Sequence, residues 1–203
     1  MHTTRLGFLA SARGSNMQAI IDACKSGRLP ARPVVIISNN GDAGALVRAR
    51  AEGIAGFHLG RSIYPDPDEL ERKIVETLQE YQVDIVILAG YMKKIGSRIL
   101  NAYPGRILNI HPSLLPKYGG QGMYGIHVHE AVLANGESES GVTIHVVDGK
   151  YDTGPILAQK KVAVAADDTA ASLSSKILAI EHELYVDTLG RILTGEIRLP
   201  DTA

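Results

Sequence analysis

Near the middle of the chain an amide and an imidazole, Asn109 and His111, stand two residues apart in ILNIHPSLLP, an apolar run that ends in prolines. In a strand, side chains at i and i+2 share a face, so both would leave the sheet on the same side. Alone, each is accounted for by satisfying nearby backbone groups. Together, an amide N–H and a protonated imidazole suit a developing oxyanion, where one well-placed donor is worth about a hundredfold in rate. Asp152, in DGKYDTGP between a half-exposed strand and a Gly-Pro turn, is a residue that turns favour for its own backbone hydrogen bonds. Placed beside His111, it would favour the imidazolium and set its orientation. Asn109, His111 and Asp152 would then form one unit without a protein nucleophile, suited to attack by a substrate amine or a water.

A second candidate is ASARGSN, residues 10–16, a turn of small residues between an apolar run and a helical pattern. At the carboxyl end of a strand in an open α/β sheet, the free N–H groups of the next helix favour an anion. Gly14, Ser15 and Asn16 could therefore hold a phosphate; the competing reading is a plain helix cap by Ser15 or Asn16. The turn has neither G-x-G-x-x-G nor a Walker lysine, so neither a dinucleotide nor ATP is indicated.

Three other readings carry less weight. His127, His129 and Glu130, with His111, His145 and Asp152, supply enough ligand types for a metallohydrolase. If IHVHEAVLA is a helix, however, i and i+2 diverge by about 200 degrees and do not share a metal, so no metal is expected. Ser113 with His111 and Asp152 could compose a hydrolase triad, but the chain has no G-x-S-x-G elbow. Cys24, the single cysteine, sits at core spacing in IIDACKSG and supports neither a disulfide nor a cysteine-based zinc site.

The elements that must position these residues alternate between apolar runs and stretches of helical period, the pattern of a doubly wound, mainly parallel (mixed) α/β sheet with helices on both faces. Strands are expected at 6–10, 34–38, near 56–59, at 84–90, at RILNI, at 142–148 and at 155–164. Helices are expected over SNMQAIIDACKSG, DPDELERKIVETLQEYQV, KKIGSRILNAY, IHVHEAVLA and Thr169 to Leu193. The longest stretch without periodicity is Pro112 to Gly125, and a loop of that length inside a domain is usually functional or mobile.

The chain has 203 residues, 21 basic against 22 acidic side chains and a formal net charge of −1. Such a length suits one substantial core. Such a balance lacks the basic footprint that nucleic acid selects, which leaves a small molecule as the expected partner. No apolar stretch approaches the roughly 20 residues that span a bilayer, and MHTTRLGFLASARGSN lacks a signal peptide's apolar run and cleavage site. No membrane association and a cytoplasmic setting are expected.

ILNIHPSLLPKY followed by SGVTIHVVDGKYDTGPILAQ resembles the formyltransferase family, and ASARGSN at the first turn resembles its branch in purine synthesis. The likeness runs from Leu6 to about Tyr185. It implies the formyltransferase fold over residues 1–203, with a ribonucleotide-binding half up to about residue 105 and a catalytic and folate-binding half after it. It also implies transfer of a formyl group from 10-formyltetrahydrofolate to the amine of glycinamide ribonucleotide, without a metal; a homodimer is left open. Asn109, His111 and Asp152 match the family's catalytic trio. Gly14, Ser15 and Asn16 match its phosphate loop, and Glu181, in AIEHELY, matches a residue that holds the ribose. Met92, Lys93, Lys94 and Ile95, with Asn109, match residues of the folate pocket.

Alternatives are the hydrolase that releases formate from the same folate, methionyl-tRNA formyltransferase, and a catalytically silent nucleotide-binding module. The first usually carries an N-terminal regulatory domain and the second a C-terminal RNA-binding domain. The chain departs from the family's pattern in two places. Many members have an arginine near the start of the third helix that reaches the folate's glutamate tail; YPDPDEL stands there instead, and Lys93 stands where an arginine is common. After Lys117, KYGGQGMYGIHVHE carries extra residues, expected to be either a lid over the substrates or a structural excursion packing Met123 and Tyr124 against a subunit partner.

Overall fold

The run LGFLA is apolar without alternation, as a strand covered on both faces must be, and in the computed structural model, which describes residues 3–200, it lies within β1 (Thr4–Ala10). Beside it run β2 (Ala31–Ser38), β3 (Ala55–His58), β4 (Ile85–Leu88) and β5 (Ile107–His111), all parallel. The antiparallel β6 (Glu139–Val146) and β7 (Ile156–Ala163) complete a seven-stranded sheet of order β3-β2-β1-β4-β5-β6-β7. The edge strand β7 carries the exposed Lys160 and Lys161, charges that discourage further strand pairing.

The helices are α1 (Ser15–Lys25), α2 (Gly44–Ala51), α3 (Pro67–Glu80), α4 (Ser97–Ala102), α5 (Ile126–Ala134) and α6 (Ala170–Leu193). Alternate side chains of each strand feed two cores. Phe8 joins Met17, Ile20, Ile144 and Leu184 on one face, while Leu9 joins Ile37, Ile74, Leu78 and Val86 on the other. Asp66 caps α3, with Pro67 in its first turn, and Thr169 with Ser172 forms a capping box on α6; both are sequence signals for a helix start.

Two features differ from the sequence reading. Helix α2 occupies a stretch to which no element was assigned. Its buried side chains are only Ala45, Leu46 and Ala49, a short stripe of mostly small residues that leaves little periodic signal. Strand β6, expected to be half exposed, is buried from Ser140 to Val146. One face meets the core beneath α6, and the loop after β5 covers the other. There Thr143 Oγ1 donates to the Ser113 carbonyl (2.6 Å) and accepts from the Leu115 N–H (3.1 Å).

The chain winds outward from β1 in both directions, through β2 and β3 on one side and β4 and β5 on the other. In open α/β sheets a crevice forms where the winding reverses. Here the loops after β1 and β4 meet: the Ser11 N–H donates to the Gly90 carbonyl (3.0 Å), and the Met92 N–H donates to Ser11 Oγ (2.7 Å). Buried Tyr185 of α6 donates to the Leu108 carbonyl (2.9 Å), anchoring that helix beneath the ends of the strands.

Candidate active site

A cleft of about 770 Å³ opens at the reversal point, walled by the loops after β1, β4, β5 and β6 and floored by α6. The residues singled out as one site all line it: Gly14, Ser15, Asn16, Met92, Lys93, Lys94, Ile95, Asn109, His111, Asp152 and Glu181.

At one end α1 begins with Gly14 as its N-cap at φ 70° and with no side-chain cap. A Cβ on Gly14 would stand 3.0 Å from Ala45 Cβ, so the tight approach of α2 and the left-handed backbone both call for glycine. Neither Ser15 nor Asn16 is spent on a cap, and the N–H groups of the first turn retain their capacity to bind an anion. Asn16 instead reaches across to α6, where its Nδ2 donates to Glu181 Oε2 at 2.7 Å. Burial pushes the Glu181 carboxyl above its ordinary 4.5, and the Asn16 hydrogen bond opposes that shift. Asn16 Oδ1 is buried without a partner, so this corner has hydrogen-bonding capacity left for a polar ligand.

At the other end, Asn109 and His111 leave the end of β5, and Asp152 stands in the loop after β6 at φ 55°. That conformation is uncommon outside glycine, though least so for Asp and Asn, and it aims the carboxylate back between two imidazoles. Asp152 Oδ2 lies 3.5 Å from His111 Nδ1, and Oδ1 lies 3.5 Å from His145 Nε2. The Gly120 N–H donates to Oδ2 (2.9 Å). Burial alone would raise the Asp152 carboxyl; the His145 hydrogen bond, the His111 charge and the Gly120 N–H outweigh it and hold the group below its ordinary 3.8.

His145, which the sequence reading left out of the expected trio, lies between Asn109 and Asp152. It faces Asn109 across the β5–β6 ladder, with His145 Nε2 3.1 Å from Asn109 Nδ2. Its Nδ1 lies 3.0 Å from the Val146 carbonyl. A carbonyl only accepts, so Nδ1 carries a hydrogen; Nε2 accepts from the Asn109 amide in the neutral ring and donates to Asp152 Oδ1 in the protonated one. By the same logic His111 Nε2, 2.7 Å from the Tyr118 carbonyl, is its protonated nitrogen. The expected pair of free donors is thus engaged internally, Asn109 with His145 and His111 with Tyr118. Burial pushes His111 below its ordinary 6.5, while Asp152 and the Tyr118 carbonyl act the other way. Asp152 favours the imidazolium as expected, but desolvation is the larger influence.

The competing readings meet specific geometry. Ser113 is fully buried, with its Oγ donating to the Lys117 carbonyl (2.7 Å), so it is not presented to the cleft as a nucleophile. IHVHEAVLA is helix α5: His127 is exposed and paired with Glu130 (3.1 Å), while His129 is buried and lines the cleft. Of the proposed metal set, His111, His145 and Asp152 come together; His127 and Glu130 do not join them. No helix among the described residues is long and apolar enough to cross a membrane.

Comparison with known proteins places this site in context. The family model described as Formyl transferase matches residues 4–189. The chloroplastic phosphoribosylglycinamide formyltransferase of Arabidopsis thaliana is 43% identical over 195 residues, covering 96% of this chain and 67% of that protein. The phosphoribosylglycinamide formyltransferase of Escherichia coli K12 is 37% identical over 195 residues, covering 96% and 90%. The crystal structure of glycinamide ribonucleotide transformylase 1 from Symbiobacterium toebii superposes with a TM-score of 0.90 at 39% identity, covering 98% of this chain and 95% of that one. With a family match over nearly its whole length and a cleft at the expected reversal point, the chain belongs to the formyl transferase family.

Proposed function

We propose that the protein transfers the formyl group of 10-formyltetrahydrofolate to the amine of glycinamide ribonucleotide, the step its curated relatives are named for. The observation that carries this reading is the placing of two chemically distinct ends in one cleft. The uncapped start of α1 with Glu181 suits a phosphate and a ribose, and Asn109, His111, His145 and Asp152 suit acyl chemistry. Holding amine and formyl carbon side by side supplies much of the acceleration.

The amine nitrogen attacks the formyl carbon, and its bond to that carbon forms as the carbonyl electron pair moves to oxygen. Asn109 and His111 donate to that oxygen, exchanging their internal partners, His145 and Tyr118, for the substrate. Asp152, ionised at neutral pH, accepts the proton that the attacking nitrogen sheds and passes it to the folate nitrogen as that nitrogen's bond to carbon breaks and the carbonyl re-forms. Water in place of the amine would make the same machinery a hydrolase.

The near balance of 21 basic and 22 acidic side chains favours small-molecule partners over nucleic acid or a membrane surface, and a cytoplasmic setting accords with it. The test is to mix the purified protein with 10-formyltetrahydrofolate, with and without glycinamide ribonucleotide. Folate turnover that requires the ribonucleotide is expected; turnover without it points to the hydrolase, and none points to a silent module.

A further inference from the structure

Two unbroken stretches of the cleft wall run side by side, 12–16 in the loop after β1 and 88–95 at the end of β4 and in the loop after it. On the function proposed above, the first takes the ribonucleotide and the second lies against the folate. Ser11 stands directly behind the first stretch and takes no part in the wall, yet its hydroxyl joins the two. Ser11 Oγ accepts from the Met92 N–H (2.7 Å) and donates to Asn39 Oδ1 (2.5 Å), while the Ser11 N–H donates to the Gly90 carbonyl (3.0 Å). The strand order β2-β1-β4 sets Asn39, Ser11 and Gly90 just past the ends of three neighbouring strands, with the hydroxyl in the middle.

A hydroxyl on a short stem donates and accepts at once, and each of its two bonds polarises the other. The turn is braced from its far side as well. The Ala12 carbonyl accepts from the Ala45 N–H (3.0 Å), and the Arg13 carbonyl accepts from Arg48 Nε (2.9 Å). With the turn held against α2, the Ser11 hydroxyl fixes Met92 relative to Gly14, Ser15 and Asn16. The amine and the formyl carbon arrive on ligands held by different loops, so the spacing of those loops sets the distance across which the new bond forms. We propose that Ser11 is a positioning residue that sets the two substrates relative to each other, touching neither and acting through the Met92 amide. The inference rests on the function proposed above. Loss of the hydroxyl leaves each substrate its own contacts and loosens only their mutual placement, so it is felt in turnover rather than in binding.

The test compares Ser11→Ala, Ser11→Thr and Asn39→Ala with the unmodified protein in steady-state kinetics. Ser11→Ala should lower kcat by about tenfold to a hundredfold, the upper figure being the cost of a misplacement of about 1 Å, while KM for either substrate changes little. Ser11→Thr keeps the hydroxyl and should recover most of that loss. Asn39→Ala leaves the hydroxyl but removes its acceptor, and should give a smaller fall in kcat at the same KM, a readout that stands even if Ser11→Ala fails to fold. An unchanged kcat in Ser11→Ala or in Asn39→Ala, a loss confined to KM, or a threonine variant no better than the alanine one would overturn the proposal. Hydrogen exchange at the Met92 amide separates this from failure of the proposed reaction, because it reads the bond in the free protein. Slow exchange in the unmodified and threonine proteins with fast exchange in Ser11→Ala supports the link even if no formyl group is transferred; equal exchange in all three overturns it.

Discussion

Asp152 Oδ1 lies 3.5 Å from His145 Nε2 while its other oxygen faces His111, so a single carboxylate bridges two imidazoles. His145 Nε2 also lies 3.1 Å from the Asn109 amide nitrogen, and the ring therefore sets the position of two groups proposed to act on the substrate. Replacing it with Ala should lower kcat by about a hundredfold, the cost of a catalytic group misplaced by about 1 Å, while KM for either substrate changes little. His145→Gln, which keeps a polar atom near Asn109, should recover part of the loss. Steady-state kinetics in both substrates decide the matter; a change confined to KM would place His145 in binding instead.

Asn109→Ala removes a donor to the developing oxyanion and should cost about a hundredfold or more in kcat. Asp152→Ala removes the proton acceptor and should cost at least as much. Both losses should fall on turnover far more than on substrate affinity. Near-normal turnover in either variant is incompatible with the mechanism derived above.

Asn16 donates to buried Glu181 across the cleft floor. Glu181→Gln should raise KM for the ribonucleotide by about tenfold, the usual worth of a hydrogen bond to a charged group, and leave KM for the folate unchanged. Asn16→Ala strips the buried carboxylate of its donor and should cost about 1–3 kcal/mol of stability, read as a lower urea midpoint at constant slope.

Much of this arrangement was legible in the chain before the structure. The runs that became β1, β2 and β4 are apolar on both faces, and in β5 the i, i+2 rule brought Asn109 and His111 to one wall. His145 escaped because its partner, Asn109, is opposite it on a neighbouring strand and 36 residues away; pairing register between distant strands leaves no local mark. Tyr118 and Gly120 escaped because they act through backbone atoms, which any side chain could carry. The exposure of β6 was misjudged because its outer face is covered by a loop without periodicity of its own.

Stability should fall as pH drops below 6.5, because burial depresses His111, His129 and His182 from that ordinary value. The sign follows from linkage: between the depressed folded value and 6.5 the unfolded chain binds more protons, so acid favours unfolding. Glu181, raised above 4.5 by burial, acts in the opposite sense. Its contribution is fully present below 4.5 and is lost as pH rises through its folded value. Three histidine losses against one gain leave a net fall in Tm on acidification, measurable by calorimetry. His129→Gln should flatten that slope whatever it does to Tm at neutral pH; an unchanged slope would remove His129 from the account.

The loop after Lys117 is fastened at its base and free at its tip. The Tyr118 carbonyl accepts from His111 and the Gly120 N–H donates to Asp152, whereas Gln121, Gly122, Tyr124 and Gly125 are exposed along the mouth of the cleft. Because the catalytic groups themselves hold the base, substrates that draw His111 and Asp152 toward the reacting atoms must also shift the loop, and a closed tip would exclude water. Hydrogen exchange should therefore show Gly120 protected in the free protein, Met123 partly protected through its N–H donated to the Gly120 carbonyl (3.1 Å), and Gln121, Gly122, Tyr124 and Gly125 exchanging freely. Adding both substrates should protect the tip, and Asp152→Ala should expose Gly120 without ligand. Unchanged exchange from Gly119 to Gly125 with both substrates bound would mean that the segment is a fixed wall rather than a lid.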